Sequence, residues 1–275
     1  MKVGFIGTGN MGSILVEAFL AVNALRPDQI IASNRTREKV LALQERYPGL
    51  TAAEDNVHTV QDSELIFLCV KPLEFKRVID NIHPFLHANQ LVISITSPVL
   101  IEDLEKQLPC KIAKVIPSIT NSVAAGASLM MFGSRCQEKD RKLIRDLFSQ
   151  ISRPLEIQES KTRVSSDIVS CGPAFMSYLL QQFIEAAVEE TGISREEATF
   201  LTSEMVIGLA ALISRGPYDL PTLQQKVCVP GGITGAGILA LEQIGDTFNH
   251  VFKNTHRKYD EDLKEVSYMF YEPDH

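Results

Sequence analysis

The chain has 275 residues, of which 45% are hydrophobic and 22% are charged, so it is long enough to bury a full core and to form two domains. Its formal net charge of -7 argues against a large basic surface for nucleic acid or for an anionic membrane. We therefore expect small molecules or proteins as partners, with no nucleic acid and no membrane.

The cysteines are widely spaced, with no Cys-x-x-Cys pair and no nearby histidine cluster. They are Cys69, Cys110, Cys136, Cys171 and Cys228. This spacing predicts reduced thiols and no metal site. The chain passes from Met1 and Lys2 directly into an apolar strand, and we expect no leader peptide and no segment of membrane-spanning length. A cytoplasmic protein is the expectation.

Short apolar runs alternate with amphipathic stretches in the first half of the chain. The runs that we interpret as buried parallel strands are 3–6, 30–33, 65–70, 91–95 and 111–116. A further strand at 127–132, a helix over 138–151 and a last short run at 155–159 follow. This alternation predicts an α/β fold in which residues 1–158 form a doubly wound parallel sheet.

The second half is predicted to be all-α, over residues 159–275, with a loose tail at 271–275. Long helices are expected at 173–190, at 194–214 and from about 234 to 266. The second of them begins with a capping box, Ser194-Arg195-Glu196-Glu197. The first two helices are apolar on more than one face, which a subunit interface or one large intramolecular core would explain.

A glycine-rich turn follows the first predicted strand and opens a helix. Its residues are Gly7, Thr8, Gly9, Asn10, Met11 and Gly12, which have the spacing G-x-G-x-x-G. In such a turn Gly7 allows the tight bend, Gly9 lets the backbone reach a pyrophosphate, and Gly12 permits close helix packing. The position in a strand-turn-helix unit favours dinucleotide binding, so we predict an N-terminal Rossmann-type domain.

The residues after the second strand distinguish between the two nicotinamide cofactors. NAD-dependent proteins usually place an acid here to bind the ribose 2′-hydroxyl, but this chain has Asn34, Arg35 and Thr36. A guanidinium binds a 2′-phosphate through two hydrogen bonds, so we expect NADP(H) as the cofactor. The alternative is that Arg35 and Arg37 belong to an ordinary solvated helix start.

Residues 227–237 place four glycines and a proline inside the helical half. Glycines let backbone N–H groups approach a ligand, and a helix N-terminus attracts anions. The segment is therefore an anion cradle or, alternatively, a flexible turn between helices.

The helical half lacks an obvious proton donor, since residues 164–225 contain no lysine and no histidine. In 3-hydroxyacid dehydrogenases of related architecture, a lysine on the first long helix of the second domain is the general acid and base. Alcohol oxidation is therefore the weaker hypothesis. An iminium ion arrives protonated and needs only hydride, orientation and a cradle for its carboxylate, so reduction of a C=N bond fits the sequence.

Four motifs resemble those of the pyrroline-5-carboxylate reductases, which make proline from a cyclic imine with NAD(P)H. They are residues 7–12, 67–72, 171–175, and 227–237 with Leu241 and Glu242. The resemblance runs through nearly all of the chain. It implies an NADPH-dependent oxidoreductase of proline biosynthesis whose helical domain forms a homodimer or a higher homo-oligomer built from dimers.

The resemblance also assigns residues to a cofactor site and a substrate site. Further cofactor residues are Asn56, Val70, Lys71, Pro72, Thr96, Ser97 and Lys226. Substrate residues are Gly231, Gly232, Ile233, Thr234, Glu159 and Ser166, with Thr234 as the catalytic polar group. The loop would hold the substrate carboxylate and ring nitrogen. Alternatively, Glu159 is a solvated loop acid, and Lys226 is an exposed charge at a helix end.

The chain departs from the usual family sequence near these positions. Val229 replaces the serine before Pro-Gly-Gly, Ser118 lies in place of the asparagine of Pro-Asn-Thr-Pro, and residues 96–98 are Thr-Ser-Pro where the family has Ala-Ala-Gly. A lost hydroxyl that leaves a buried partner unsatisfied would cost about 1 to 3 kcal/mol, roughly tenfold to a hundredfold in binding or rate.

Two functions follow as hypotheses. The first is an NADPH-dependent imine reductase acting on 1-pyrroline-5-carboxylate or a close cyclic imino acid. The alternative is an NADP-binding paralogue with weakened catalysis and a regulatory or interaction role, because the chain also resembles diverged family members found beside bacterial competence genes. A shared fold does not decide between them.

Overall fold

A computed structural model describes residues 1–271 of the chain. They form two compact units: one contains Met1–Pro173 together with the chain from Lys253 onward, and the other contains Ala174–Phe252. The predicted boundary between residues 158 and 159 divides the chain at another place, and it stays a prediction.

An eight-stranded sheet runs through the first unit in the order β3-β2-β1-β4-β5-β6-β7-β8. The strands are β1 (Val3–Ile6), β2 (Ile30–Ser33), β3 (Thr51–Ala52), β4 (Leu65–Leu68), β5 (Leu91–Ser94), β6 (Lys111–Ile116), β7 (Ala127–Phe132) and β8 (Arg153–Glu156). Neighbouring strands are parallel except β6 and β7, which pair antiparallel. The strand order reverses between β1 and β4, and open α/β sheets bind ligands at the carboxyl ends of such a switch point.

Helices pack on both faces of this sheet. They are α1 (Asn10–Ala21), α2 (Arg37–Arg46), α3 (Asn56–Gln61), α4 (Phe75–Ile82), α5 (Ile101–Gln107), α6 (Glu138–Ser149) and α7 (Thr162–Ser166). A π-helical turn, Asp167–Cys171, continues from α7. The four residues of β1 and of β4 are all buried, because a parallel sheet with helices on both faces leaves no strand face in water.

The core consists of two apolar clusters, one on each face of the sheet. Phe5 and Phe67 lie in one cluster and Ile6 lies in the other, as the alternation of side chains along a strand requires. The rings of Phe5 and Phe67 stack with their centroids 4.7 Å apart. Phe19 of α1 meets Phe148 of α6 edge to face at 5.4 Å, which fixes both helices against the same face.

The second unit is helical. Its elements are α8 (Gly172–Thr191) from Ala174 onward, α9 (Arg195–Arg215), α10 (Leu220–Val227), α11 (Ile233–Leu241) and the first residues of α12 (Thr247–Tyr271). The predicted capping box of α9 is confirmed: the Ser194 hydroxyl accepts a hydrogen bond from the Glu197 N–H at 3.2 Å, and the Glu197 carboxylate accepts one from the Ser194 N–H at 3.3 Å. The remainder of α12 belongs to the first unit, where Val266 and Phe270 are buried.

The second unit has little core of its own. Within residues 174–252 only Ala198 and Thr202 are buried, while Phe183, Phe200 and Ile207 are each more than 60% exposed. Of residues 1–271, α9 is the one helix long and apolar enough to cross a membrane by length and composition. The expectation that no segment reaches that length is wrong for α9, because its charges, Glu204 apart, are confined to its two ends.

The fold class is confirmed, and some element boundaries are corrected. The predicted helix over 234–266 is interrupted, since α11 ends at Leu241 and Gly245 adopts a φ of +54° before α12 begins. The strands predicted at 65–70 and 91–95 end earlier, at Leu68 and Ser94. The predicted tail is wrong at Tyr271, which ends α12, and its residues 272–275 lie outside the described residues.

Candidate functional site

Apart from Asn56, which begins α3 after β3, the predicted cofactor residues of the first unit lie at the carboxyl ends of four neighbouring strands. Residues 7–12 follow β1, residues 34–36 follow β2, residues 70–72 follow β4, and residues 96–97 follow β5. These strands are adjacent and parallel in the order β2-β1-β4-β5, so their ends share one edge of the sheet. Lys226 lies in the second unit.

The turn after β1 depends on two of its glycines. Gly7 has a φ of +98°, and a Cβ there would lie 2.7 Å from the carbonyl oxygen of Cys69. A Cβ on Gly12 would overlap the carbonyl oxygen of Gly7. Gly7 therefore makes the tight bend and Gly12 allows α1 to pack closely, as the sequence predicts.

The space around Gly9 fits a bound pyrophosphate. A Cβ on Gly9 would find no heavy atom of the described chain within 4 Å, so the approach to the backbone is open. Helix α1 begins at Asn10 with no acid in its first turn, which leaves the positive end of the helix dipole unopposed. Thr8 is 2% exposed, and its hydroxyl has no hydrogen-bond partner among residues 1–271. A phosphate oxygen is an acceptor that would satisfy this buried donor.

Asparagine side chains hold the neighbouring loops in place. Oδ1 of Asn34 accepts a hydrogen bond from the Thr8 N–H at 3.0 Å, and its Nδ2 donates to the Thr36 carbonyl at 2.9 Å. The Ser33 hydroxyl donates to Oδ1 of Asn56 at 2.8 Å. These bonds order the segment in which a 2′-phosphate site is predicted, and direct contact of these side chains with the cofactor stays a prediction.

Arg35 forms an ion pair with an acid from another loop. Its Nη1 lies 3.1 Å from Oε1 of Glu74, which ends the short 3₁₀ turn Pro72–Glu74 after β4. The second oxygen of Glu74 pairs with Arg77 of α4. The structure therefore places a carboxylate at the predicted phosphate site.

The loops after β4 and β5 meet at the place predicted for the nicotinamide. The Thr96 hydroxyl donates to the Val70 carbonyl at 3.3 Å, while Lys71 is exposed at the start of the 3₁₀ turn. The Ser97 hydroxyl is buried and has no hydrogen-bond partner in the described part of the chain. A carboxamide carries both a donor and an acceptor and would satisfy it.

A buried lysine lies beside Ser97. The Lys114 side chain on β6 is completely buried, and its Nζ lies 2.5 Å from Oε1 of Glu159 and 3.2 Å from the Ser97 carbonyl oxygen. The same Glu159 oxygen accepts a hydrogen bond from the Ile101 N–H at 3.0 Å. Burial lowers the pKa of Lys114, and the charge of Glu159 opposes that shift. Glu159 is thus not the solvated loop acid of the alternative, and its predicted contact with substrate stays a prediction.

Helix α12 contributes Tyr259 to the same place. The Tyr259 hydroxyl donates to the Ser97 carbonyl oxygen at 3.4 Å, and the Arg163 guanidinium lies over the tyrosine ring at 5.6 Å. Arg163 also pairs with the buried Asp167 at 2.7 Å. Ser166, a predicted substrate residue, is 4% exposed on α7, and its substrate contact also stays a prediction.

In the second unit, residues 229–232 form a tight turn. The Gly232 N–H donates to the Val229 carbonyl at 2.9 Å, and Gly231 has a φ of +73°, as the third position of a type II turn requires. Helix α11 begins directly afterwards, so the first N–H groups, those of Ile233 and Thr234, have no acceptor within the helix. Both residues are exposed. The turn presents a helix N-terminus, and carboxylate binding there stays a prediction.

Of the departures from the family sequence, Ser118 and Val229 leave no buried polar side-chain atom without a partner in the described chain, whereas the Ser97 hydroxyl of residues 96–98 does. The buried Ser118 hydroxyl accepts a hydrogen bond from the Thr120 hydroxyl at 3.0 Å, and the Ser118 N–H donates to Oδ1 of Asn121 at 2.8 Å. Val229 is 59% exposed. Lys226 is exposed in the last turn of α10, and its cofactor contact stays a prediction.

Glu74, Lys114 and Tyr259 were not predicted from the sequence. Lys114 carries a signal, because a lysine inside an apolar buried strand requires a partner. Glu74 lies 39 residues from Arg35, and Tyr259 lies 162 residues from Ser97, so no local pattern connects them. Within residues 1–271 there is no group of three or more His, Cys, Asp or Glu side chains that could hold a metal ion.

Two family models match the chain. The model described as pyrroline-5-carboxylate reductase dimerisation matches residues 159–262, and the model described as NADP oxidoreductase, coenzyme F420-dependent, matches residues 2–98. The prediction of NADP(H) agrees with the second description. The first supports the predicted homo-oligomer.

Known proteins resemble the chain over almost its whole length. ComE operon protein 4 of Bacillus subtilis is 49% identical over 98% of this chain and 100% of that protein. Pyrroline-5-carboxylate reductase 3 of the same organism is 28% identical over 94% of this chain and 96% of that protein. Pyrroline carboxylate reductase of Plasmodium falciparum, solved with NADP bound, has a TM-score of 0.83 at 24% identity and covers 97% of this chain and 98% of its own.

These likenesses cover both units, and the motifs of the sequence lie inside the matched segments. The fold is that of NAD(P)-dependent oxidoreductases. The chain belongs to the pyrroline-5-carboxylate reductase family.

Proposed function

We propose that this protein is an NADPH-dependent reductase of a cyclic imino acid, most directly 1-pyrroline-5-carboxylate, with proline as the product. The observation that carries the proposal is the cofactor site of the first unit. That site combines the open approach to Gly9 with two buried hydroxyls, those of Thr8 and Ser97, that lack partners among residues 1–271. We assign the pyrophosphate to the start of α1, the 2′-phosphate to Arg35 in place of its partner Glu74, and the carboxamide to the space beside Ser97.

The chemistry asks little of the protein beyond binding and orientation. Bound NADPH supplies a hydride. The protonated imine accepts it at the carbon of its C=N bond, the π electron pair moves to nitrogen, and the proton already on nitrogen stays there in the amine product. We assign the substrate carboxylate to the N–H groups that follow Gly232 and the ring N–H to the Thr234 hydroxyl as acceptor.

Lys114 and Tyr259 act on the turn that carries Ser97. Both donate hydrogen bonds to the Ser97 carbonyl oxygen, at 3.2 Å and 3.4 Å respectively. These bonds fix the backbone from which the Ser97 hydroxyl projects. We propose that they position the nicotinamide pocket. Lys114 is already held by Glu159 and is not assigned a proton transfer.

We further propose a cytoplasmic homodimer, or a higher oligomer built from dimers, that acts in proline biosynthesis. The support is twofold. The family model for pyrroline-5-carboxylate reductase dimerisation matches residues 159–262, and large apolar side chains are exposed on α8 and α9. A second copy covering these side chains would give the second unit the core that it lacks. The domain division at residues 158 and 159 is part of the same proposal.

A second function is an NADP-binding paralogue with a regulatory or interaction role. It is favoured by the 49% identity to ComE operon protein 4 and by the valine at position 229 in place of the family's serine. In this case NADPH would bind and the cyclic imine would not be reduced.

Full-length protein mixed with NADPH and pyrroline-5-carboxylate distinguishes the two functions. We expect NADPH absorbance to fall faster than in a control without substrate, and Thr234→Ala to slow it at least about tenfold. Thr51→Ala, at an exposed position of β3 in the first unit, is the matched control and should keep the wild-type rate. NADPH binding without substrate-dependent oxidation would contradict the reductase and favour the paralogue.

A further inference from the structure

We propose that Glu74 sets the preference of this protein between NADPH and NADH. In this inference, which rests on the proposed cofactor site, the Glu74 carboxylate competes with a 2′-phosphate for Arg35 and accepts a hydrogen bond from a ribose 2′-hydroxyl. The acid usually found after the second strand of an NAD-binding fold is thus supplied here from the loop after β4.

The geometry places one carboxylate between two arginines. Nη1 of Arg35 lies 3.1 Å from Oε1 of Glu74, while Nη2 of Arg77 pairs with Oε2. The Glu74 side chain is 32% exposed, compared with 74% for Arg35 and 66% for Arg77. The acid is therefore the most enclosed of the three side chains, and both arginines are mainly exposed to solvent.

The position of this group in the sheet explains why it concerns the ribose. Arg35 follows β2 and Glu74 follows β4, and these strands are the two neighbours of β1. The loop after β1 carries the predicted pyrophosphate turn. In this fold class the adenosine ribose lies against the end of the strand next to that turn, where an acid binds its 2′-hydroxyl or an arginine binds its 2′-phosphate.

The charges give the two cofactors opposite consequences. A 2′-phosphate seeks the same guanidinium donors as Glu74 and is repelled by its carboxylate, so NADPH must displace Glu74 from Arg35. The ion pair with Arg77 would hold the Glu74 carboxylate after NADPH has displaced it from Arg35. A 2′-hydroxyl is a neutral donor, and it can bond to Glu74 while the ion pair with Arg35 persists.

A purely local role for Glu74 leads to a different expectation. An acid at the start of α4, paired with Arg77 three residues later, stabilises that helix by a small amount and has no reason to distinguish between cofactors. The ratio of the dissociation constants for NADH and NADPH separates the two roles. Helix stability alone would leave this ratio unchanged.

The test measures both dissociation constants by nicotinamide fluorescence on the full-length protein at one fixed ionic strength. We expect Glu74→Gln to tighten NADPH binding by about three- to tenfold and to leave NADH binding unchanged or weaker. Asp80→Asn is the matched control, because it removes the same charge from α4 and breaks the exposed Lys76–Asp80 pair. That control should change the ratio less than about twofold.

The role of Glu74 would be overturned if Glu74→Gln left the ratio of the NADH and NADPH dissociation constants unchanged or shifted it in favour of NADH binding. It would also be overturned if Asp80→Asn shifted the ratio as much as Glu74→Gln. Arg35→Ala distinguishes this failure from failure of the proposed cofactor site. If Arg35→Ala leaves NADPH binding unchanged, the 2′-phosphate site itself is wrong. If Arg35→Ala weakens NADPH and Glu74→Gln leaves the ratio unchanged, only the inference about Glu74 fails.

Discussion

Lys114 and Glu159 form a charge pair across 45 residues of sequence, and only the acid reaches solvent. The lysine side chain is 0% exposed and the glutamate side chain is 29% exposed. The pair joins β6 to the loop before α7, and through the Ile101 N–H it also reaches the start of α5. Because the two partners differ in burial, removing one is not equivalent to removing the other.

Glu159→Gln should destabilise the protein more than Lys114→Met. The first change leaves a fully buried ammonium group without its counter-charge, which costs about 3 to 5 kcal/mol. The second leaves a carboxylate that water can reach. Urea unfolding measures both free energies, with Asp146→Asn in the exposed Lys142–Asp146 pair as a control expected to cost less than about 1 kcal/mol. An equal or larger loss in Lys114→Met would contradict this order.

The stability contributed by Lys114 should increase with pH in the alkaline range. Burial lowers its pKa from the ordinary value of 10.5. Between the lowered native pKa and 10.5 the unfolded chain binds more protons than the native protein, so the free energy of unfolding rises with pH in that window. Urea unfolding at successive pH values measures the free energy of unfolding of wild type and of Lys114→Met. The wild-type value minus the Lys114→Met value should increase with pH. A difference that falls as pH rises would refute the shift.

Alanine at Gly9 and at Gly12 should have opposite effects on binding and stability. Gly9 has a φ of -74° and open space around its Cβ position, so Gly9→Ala should keep its stability within about 0.5 kcal/mol. The same methyl group would obstruct a pyrophosphate, and we expect NADPH binding to weaken at least about tenfold. Gly12→Ala should instead cost about 1 to 3 kcal/mol, because its Cβ overlaps the Gly7 carbonyl. Normal NADPH affinity in Gly9→Ala would exclude the pyrophosphate from this turn.

Gly231→Ala should strain the turn before α11 without a steric clash. Its φ of +73° costs a side-chain-bearing residue about 1 to 2 kcal/mol, and no described atom lies within 4 Å of its Cβ position. Gly231→Asn should cost less, because asparagine tolerates the left-handed region better. In the reductase assay, kcat/KM for the cyclic imine should fall more for alanine than for asparagine. If both variants keep the wild-type value, the turn geometry does not serve the substrate.

A charge on the exposed apolar faces of the second unit should dissociate the oligomer. Phe183 is 61% exposed and Ile207 is 63% exposed, and an interface that buries them would have to desolvate a carboxylate in Phe183→Glu or Ile207→Glu. Light scattering after gel filtration should show a lower molar mass for both variants. Leu41→Glu, at a 42% exposed position in the first unit, is the control and should keep the wild-type mass. A wild-type chain that is monomeric at every concentration would contradict the interface.

The sheet and the phosphate turn could be predicted because each is determined by a pattern of residues close together in the sequence. Fully apolar runs of four residues identify the buried strands, and three glycines at fixed spacing identify the turn. The interruption before α12 could not be predicted in the same way. A single glycine is tolerated in many helices, and only its φ of +54° shows that the chain leaves the helical conformation at Gly245.

The side chains that surround the cofactor site were harder to predict for a different reason. Arg35 was identified from its place after β2, whereas its partner Glu74 comes from another loop. Such pairs form because strand order brings distant segments to one sheet edge, and strand order is not visible in the spacing of residues. Lys114 is the exception, since its charge conflicts with the apolar strand that contains it.

The first unit is discontinuous, and this fixes when it can finish folding. Val266 and Phe270 of α12 pack into the apolar cluster on one face of the sheet, and the Tyr271 hydroxyl donates to Asp103 at 2.5 Å. A ribosome that has synthesised only the first 173 residues has produced every strand and the helices α4 and α5 of this cluster, but not α12, which completes it. Completion of the first unit therefore depends on residues 253–271, which are synthesised only after the whole second unit, and a chain that stopped before α12 would leave part of this apolar cluster uncovered.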